Sequence, residues 1–388
     1  MGSAGGSART RSRPAWVDTL VIEFVALAAA LLFTATVGGI VIASFGENPL
    51  FVYRVVWVFA TSEPSDFGKV LENATPLIFS ALAVAVAFKA GMFNIGVEGQ
   101  YYAGMVAAAA VAVSLDLPAL AHLPLVVLAA VLGSMIWAAI PAILKVKTGA
   151  HEVVTTIMMN GIAVSFVAWA LLHPLRTSQQ GLVDLRTDQF PSTALMPSLG
   201  STLGLEEILP ETVHLTWLFP LALLAAFLVW FFLYRTRLGF ETRAVGTEPG
   251  SAEAGGISIG ATQIKVFLLS GALAGFVGLN QLLGDAGFLG INYETQLGFT
   301  GIAVAFLGRN SPLGIVIAAI AIGLLNRGED GLALVTELPR EIVIILEGLL
   351  ILSVVVAYQI TRRIVLRRRQ RVVRAEELVS EGAPDAAA

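Results

Sequence analysis

The stretch Leu20–Ala43, LVIEFVALAAALLFTATVGGIVIA, carries a single ionisable residue, Glu23. It is long enough to cross the hydrocarbon core of a bilayer, which takes about 20 apolar residues as a helix. Arg9, Arg11 and Arg13 precede it, as in a secretory leader. The run nevertheless exceeds the roughly 7–15-residue apolar core of a leader, so it reads as a retained first span.

Runs of the same kind, bounded by charge, proline or glycine, follow the first span at 20–45. They fall at 71–90, 92–114, 123–144 and 152–173, then at 215–234, 264–284, 296–308, 312–326 and 341–361. The pattern predicts an all-α, polytopic transmembrane helical bundle of about ten spans. The pair 296–308 and 312–326, split by Arg309, Asn310 and Pro312, fits either two short helices or one re-entrant hairpin. Composition agrees: 56% of residues are hydrophobic and 13% charged, with mean hydropathy +0.80. A soluble domain carries about 25% charged residues. The 388-residue chain has no cysteine, which excludes a disulfide framework and thiolate chemistry.

The 24 Lys and Arg residues orient the bundle. With a cytoplasmic N-terminus, the inner side collects Arg9, Arg11, Arg13, Lys89, Lys145, Lys147, Arg235, Arg237, Arg243, Lys265, Arg309 and the Arg-rich tail after Ile360. The outer side holds only Arg54, Lys69, Arg176, Arg186, Arg327 and Arg340, the bias of the positive-inside rule. The organisation is then a cytoplasmic tail 1–19, a membrane domain 20–361 and a basic, then disordered, cytoplasmic tail 362–388. The arginines of that last tail read as a stop-transfer anchor for anionic lipid rather than as a nucleic-acid site. The outer connections are 46–70 and 174–214, the latter with Pro174, Pro191, Pro197 and Pro210. The longest inner connection, 235–263, contains Thr247-Glu248-Pro249-Gly250, a turn, and then a short helix ending at Gly255-Gly256.

Several chemistries are absent. No Gly-x4-Gly-Lys-Ser/Thr phosphate loop occurs, so the chain is not expected to hydrolyse ATP itself. His151-Glu152-Val153-Val154-Thr155 starts like a zinc-protease helix but has Thr155 where the second histidine belongs. No catalytic residues and no metal ligands are assigned.

What stands out is polarity at membrane depth. Burying an ionisable group there costs at least about 2.5–3.5 kcal/mol, so such groups face a cavity or a partner. Glu98 lies between Gly96 and Gly99, with Asn94 four residues before it and Gln100 just beyond. The glycines either loosen a helix beside a solute path that Asn94, Glu98 and Gln100 line, or Glu98 braces the broken helix through its freed N–H groups. Asn160, Asn280 and Gln281 face a similar choice between path and interhelical hydrogen bonding. Phe93–Gln100 and Leu297–Ala303 form one Gly-rich interruption per half, a hint of two pseudo-repeated halves. Gly271, Gly275 and Gly278 give the seventh span a small-residue face for close packing.

The segment Gly91-Met92-Phe93-Asn94-Ile95-Gly96-Val97-Glu98-Gly99-Gln100 resembles the hallmark of the nucleoside-type permeases in the branched-chain amino acid and ribose ABC permease superfamily. Three further segments match in order: 149–160, departing from Gly-Ala-Asn-Glu-Val at His151; 244–257; and 298–308. The resemblance spans residues 70–360. It implies the permease subunit of an importer, without enzymatic activity or a cofactor of its own, in the bacterial cytoplasmic membrane. Its implied partners are a second, homologous permease, a cytoplasmic ABC ATPase that uses ATP and Mg, and an extracytoplasmic solute-binding lipoprotein. It implies nucleosides as solutes; the polar residues at membrane depth, Asn94, Glu98, Gln100 and Asn160, are the candidates for the path. It also implies Glu248, Pro249, Gly250, Ala252, Glu253, Ala254, Gly255 and Gly256 as the element that couples to the ATPase. A permease for a simple sugar such as ribose, sharing the fold, and an ion-coupled secondary transporter using Glu98 remain the alternatives.

Overall fold

The computed structural model describes residues 15–177 and 185–336, then 342, 344–354, 356–357, 360–361 and 363–364, with side chains from Ala28 onward except Ala333. The outermost tails, residues 178–184 of the 174–214 connection and the side chain of Glu23 lie outside these residues.

The chain forms two compact units. The smaller comprises the flanks up to Pro49 and from Ile344 onward, and contains α1 (Ala15–Ser44) and the helix Ile344–Val354. They are joined by a 2.6 Å hydrogen bond between the hydroxyls of Thr34 and Ser353. The larger, Leu50–Val343, holds the remaining helices.

At the centre of the larger unit stand α3 (Pro64–Lys89) and α4 (Val97–Ser114). Every residue of α3 from Ala74 to Ala87 is buried, and most of α4 is buried too. Both are built of small and apolar side chains on all faces, the composition of a helix enclosed by others. Around them lie α5 (Ala119–Thr148), α6 (Glu152–Leu172), α8 (Leu218–Arg235), α11 (Ile259–Ala274), α12 (Leu297–Leu307) and α13 (Pro312–Val335).

The outer helices turn small residues inward and large apolar residues outward. On α5 the inward stripe is His122, Val126, Ala130, Ser134, Ala138 and Ala142, spaced by four, whereas Leu120, Leu128, Leu132 and Ile136 are exposed. On α6, Thr156, Asn160, Ala163 and Val167 face in, and Val154, Ile157, Met158, Ile162 and Trp169 face out. Small contact residues with large aliphatic ones outside are the pattern of helices packed in lipid, where close backbone approach replaces the hydrophobic effect as the source of association. The small-residue face of α11 behaves as expected: a Cβ at Gly271 would stand 2.5 Å from the Ala138 methyl, and one at Gly275 2.7 Å from the Val131 Cα. Five helices among the described residues are long and apolar enough to cross a membrane: Pro64–Lys89, Ala119–Thr148, Glu152–Leu172, Leu218–Arg235 and Pro312–Leu332.

Three sequence expectations need correction. The connection 46–70 contains α2 (Pro49–Thr61), whose Val52, Val55, Val56 and Ala60 are buried, and the start of α3. The run 92–114 is helical only from Val97. The run 264–284 is not a single full-length helix. α11 ends at Ala274 and gives way to turns and a π-helical stretch, Asn280–Ala286. α12, at 11 residues, rises only about 16 Å and reaches roughly halfway across a 30 Å core. A turn through Arg309 and Asn310, both with positive φ (57° and 50°), then leads into the full-length α13. Of the two readings left open for 296–326, the structure thus has a half-length helix followed by a complete one.

Residues assigned to the inner side gather at one end of the larger unit. There Lys145 pairs with Glu152 at 2.6 Å, and Gly260 abuts Val146. The opposite end has Arg327 paired with Asp66 at 2.7 Å, and the Glu72 carboxylate accepting from the His214 backbone N–H at 2.8 Å.

Candidate functional site

After α3 the chain turns at Gly91 (φ 70°), buries Met92, and runs irregularly to Gly96 before α4 begins. The side chain of Asn94 sets this geometry. Its Oδ1 accepts from the Gly96 N–H at 3.0 Å, a local turn that competes with helix. Asn94 therefore does not share a helical face with Glu98, although a separation of four residues would place the two on one face of a continuous helix. Its partner is Gln100: the two amides exchange hydrogen bonds at 3.0 and 2.9 Å. Asn94 Nδ2 also donates to Ser270 Oγ at 2.8 Å, and Ser270 in turn donates to the Ala83 carbonyl at 2.6 Å. Asn160, from α6, accepts from the Gly99 N–H at 2.9 Å and donates to the Ile95 carbonyl at 3.0 Å. It thereby satisfies a backbone donor that the first turn of any helix leaves free. The structure brings all four predicted residues to one place, with Asn94, Gln100 and Asn160 fully engaged by protein groups.

Glu98 joins the two halves of the chain. Its Oε1 accepts from the Tyr101 hydroxyl (3.1 Å), the Tyr102 hydroxyl and the Gln296 N–H (2.6 Å), and its Oε2 accepts from the Gly298 N–H (2.7 Å). The carboxylate stands in the first turn of α4 and caps α12, so two positive helix ends converge on one negative group. Gly298 is required for this approach, since a Cβ there would lie 2.5 Å from the Glu98 nitrogen. The two Gly-rich interruptions noted in the sequence are thus in direct contact.

The junction sits deep in the bundle. Ser80, midway along the enclosed run Ala74–Ala87 of α3, donates to the Leu297 carbonyl at 2.9 Å. Lys89, where α3 ends, is nine positions further, about 14 Å along the axis. The segment before α12 is irregular, from Gly287 (φ 67°) to Gln296 (φ 68°), and Ile291, Asn292, Glu294, Thr295 and Gln296 are exposed on it. It is held by the Tyr101 hydroxyl, whose one proton is shared between Glu98 and the Glu294 carbonyl (2.9 Å), by Gln281 Oε1 accepting from the Glu294 N–H (2.7 Å), and by edge contact of the Tyr293 and Tyr102 rings. Tyr101 and Tyr102 were not singled out in the sequence, although their spacing of three and four from Glu98 is that of helical neighbours. Gln296 and Gly298, some 200 positions away, carry no such signal.

In the connection 235–263, α9 (Arg237–Thr247) is followed by α10 (Pro249–Ala254), with Gly255 and Gly256 (φ 82°) ending it. This is the expected turn and short helix. Ala252 is buried, whereas Ser251, Glu253 and Ala254 are exposed. Gly246, near the end of α9, packs on the Lys89 carbonyl at the foot of α3.

The profile of the family described as branched-chain amino acid transport system / permease component matches residues 67–355. The chain is 35% identical over 333 residues to the guanosine ABC transporter permease protein NupP of Bacillus subtilis, covering 85% of this chain and 92% of that protein. It is 33% identical to the nucleoside ABC transporter permease protein NupB of Lactococcus lactis, over 85% of this chain and 90% of that one. It is 32% identical to the glucose ABC transporter permease protein TsgB13 of Haloferax volcanii, over 89% of each. No solved structure matches it. A profile match across most of the chain, with relatives aligned almost end to end over the half-helix junction just described, means that this protein belongs to the branched-chain amino acid transport system permease family.

Proposed function

We propose that this permease imports nucleosides across the bacterial cytoplasmic membrane, along a path that runs beside residues 291–296 to the Glu98 junction. The observation that carries the path is the exposed, irregular segment at mid-height of α3. Non-helical backbone at membrane depth is tolerated only against protein or a water-filled cavity. Asn94, Glu98, Gln100 and Asn160 contribute by holding the broken helices that frame this path. Nucleosides are favoured by the names of NupP and NupB; glucose, named for TsgB13, keeps a sugar as the second reading.

In this reading both termini and α9–α10 face the cytoplasm. A homologous permease completes the path, a binding lipoprotein delivers the solute outside, and α10 docks on the ATPase that uses ATP and Mg. The short helix suits that role because it follows directly on α9, which rests through Gly246 on the foot of α3, and a rigid helical pair transmits movement that a loose loop would absorb.

The test is uptake by the reconstituted complex, supplied separately with tritiated guanosine, uridine, ribose and glucose, with an intact or a hydrolysis-deficient ATPase. Nucleoside uptake that requires hydrolysis supports the proposal. Uptake of sugar alone would replace nucleoside by sugar, and uptake unaffected by the ATPase defect would point to ion coupling.

A further inference from the structure

We infer that a recess beside the path is a stacking subsite for the nucleobase of the solute, an inference that rests on the nucleoside reading above. The recess is about 190 Å³ and is lined by Met105, Arg186, Gln281, Phe288, Asn292 and Tyr293, among others. That is below the roughly 300–1,000 Å³ of pockets enclosing drug-sized ligands, so it accommodates a ring system with the rest of the solute outside. Its wall is pinned by the outer connection: Thr187 N–H donates to the Leu289 carbonyl (2.9 Å), Ile291 N–H to the Leu185 carbonyl (3.0 Å), and Phe190 N–H to the Gly287 carbonyl (2.8 Å).

The lining chemistry selects a planar, acceptor-edged ring. Phe288 and Tyr293 are half-buried aromatics, and the Arg186 guanidinium stands 4.7 Å from the centre of the Phe288 ring. Aromatic faces stack on any base, and arginine both joins such a stack and pairs with the O6 and N7 acceptors of guanine. Gln281 spends its Oε1 on the Glu294 N–H and keeps its NH2 group for an acceptor. The exposed Asn292 amide offers one donor group and one acceptor. A sugar has no π-face to use this wall. The recess adjoins Tyr293, and from there the exposed strip descends to Gln296 and Glu98, so a base held here leaves the ribose facing the path.

The experiment combines uptake with photolabelling of the assembled complex in liposomes. 8-Azidoguanosine is irradiated at sub-saturating concentration and its adducts are mapped by mass spectrometry. In parallel, tritiated guanosine and glucose uptake are measured on the same preparations. The expected result is labelling within residues 281–293, competed by guanosine and not by glucose. Its yield should fall roughly 5- to 150-fold in Phe288→Leu and Arg186→Gln, the range corresponding to loss of one base stack. Asn292→Ala, at an exposed position, is the variant least able to disturb folding and should lower the yield and change the preference for guanosine over uridine. Guanosine uptake by the wild type together with adducts elsewhere, or with label indifferent to all three variants, overturns the subsite and leaves the transport reading standing. Glucose uptake with no guanosine uptake and no adduct overturns both.

Discussion

Replacing Glu98 by glutamine separates a brace from a solute contact. Of its four donors, three meet Oε1 and one, the Gly298 N–H, meets Oε2. Glutamine can keep the first three on its carbonyl oxygen, but it turns an NH2 group toward the Gly298 N–H. Leaving that buried donor unmatched costs about 1–3 kcal/mol, and exchanging a charged for a neutral acceptor weakens each remaining bond by about 1 kcal/mol. Removing the charge recovers about 2.5–3.5 kcal/mol of burial cost at membrane depth. The net destabilisation is on the order of 1–3 kcal/mol. Glu98→Ala leaves both backbone N–H groups and the Tyr102 hydroxyl without their acceptor, while the Tyr101 hydroxyl keeps the Glu294 carbonyl, and it is expected to cost more than Glu98→Gln. The assay is thermal unfolding of the purified complex in nanodiscs, alongside uptake at saturating loaded binding protein. Melting midpoints should fall in the order wild type, Glu98→Gln, Glu98→Ala, with uptake declining in the same order. Unchanged midpoints in both variants with uptake abolished would refute the brace and make the carboxylate a solute-binding group.

Asn160→Ala strands the Gly99 N–H and the Ile95 carbonyl, and should lower stability by about 1–3 kcal/mol in the same melting assay. His151 caps α6 by accepting from the Val153 N–H through Nδ1 at 3.3 Å, a long bond, so His151→Asn, restoring a preferred cap residue, should raise the melting midpoint by an amount corresponding to at most about 1 kcal/mol. Ala254→Glu, on the exposed side of α10, should weaken ATPase association or uncouple hydrolysis from uptake while membrane insertion stays normal; Ala252 is buried and would confuse docking with local packing. In this cysteine-free chain, an impermeant thiol reagent applied to intact cells should label Ser192→Cys and leave Ser251→Cys unlabelled, and the reverse pattern would invert the topology.

The membrane bundle was legible because lipid imposes long apolar runs, and the polar site because Asn94, Glu98, Gln100 and Asn160 are costly where they stand. Helix α2 was missed: at 13 residues with Arg54 inside, it is too short and too charged to register as a span. The start of α4 was set too early because Met92–Ile95 is apolar enough to continue a helix, whereas the Asn94 side chain withholds it. The two tyrosines beside Glu98 were recoverable from helical spacing. The cap on α12 was not, since it depends on a meeting of segments 198 and 200 positions apart.

That separation sets a clock for biogenesis. Glu98 enters the membrane long before its backbone partners exist, and at about 5–20 residues per second the ribosome needs roughly 10–40 s to reach Gln296 and Gly298. Through that interval Tyr101 and Tyr102, made within the next four residues, are the Glu98 partners already on the chain. Until the second half arrives, the two tyrosine hydroxyls are the donors that helical spacing places within reach of the Glu98 carboxylate.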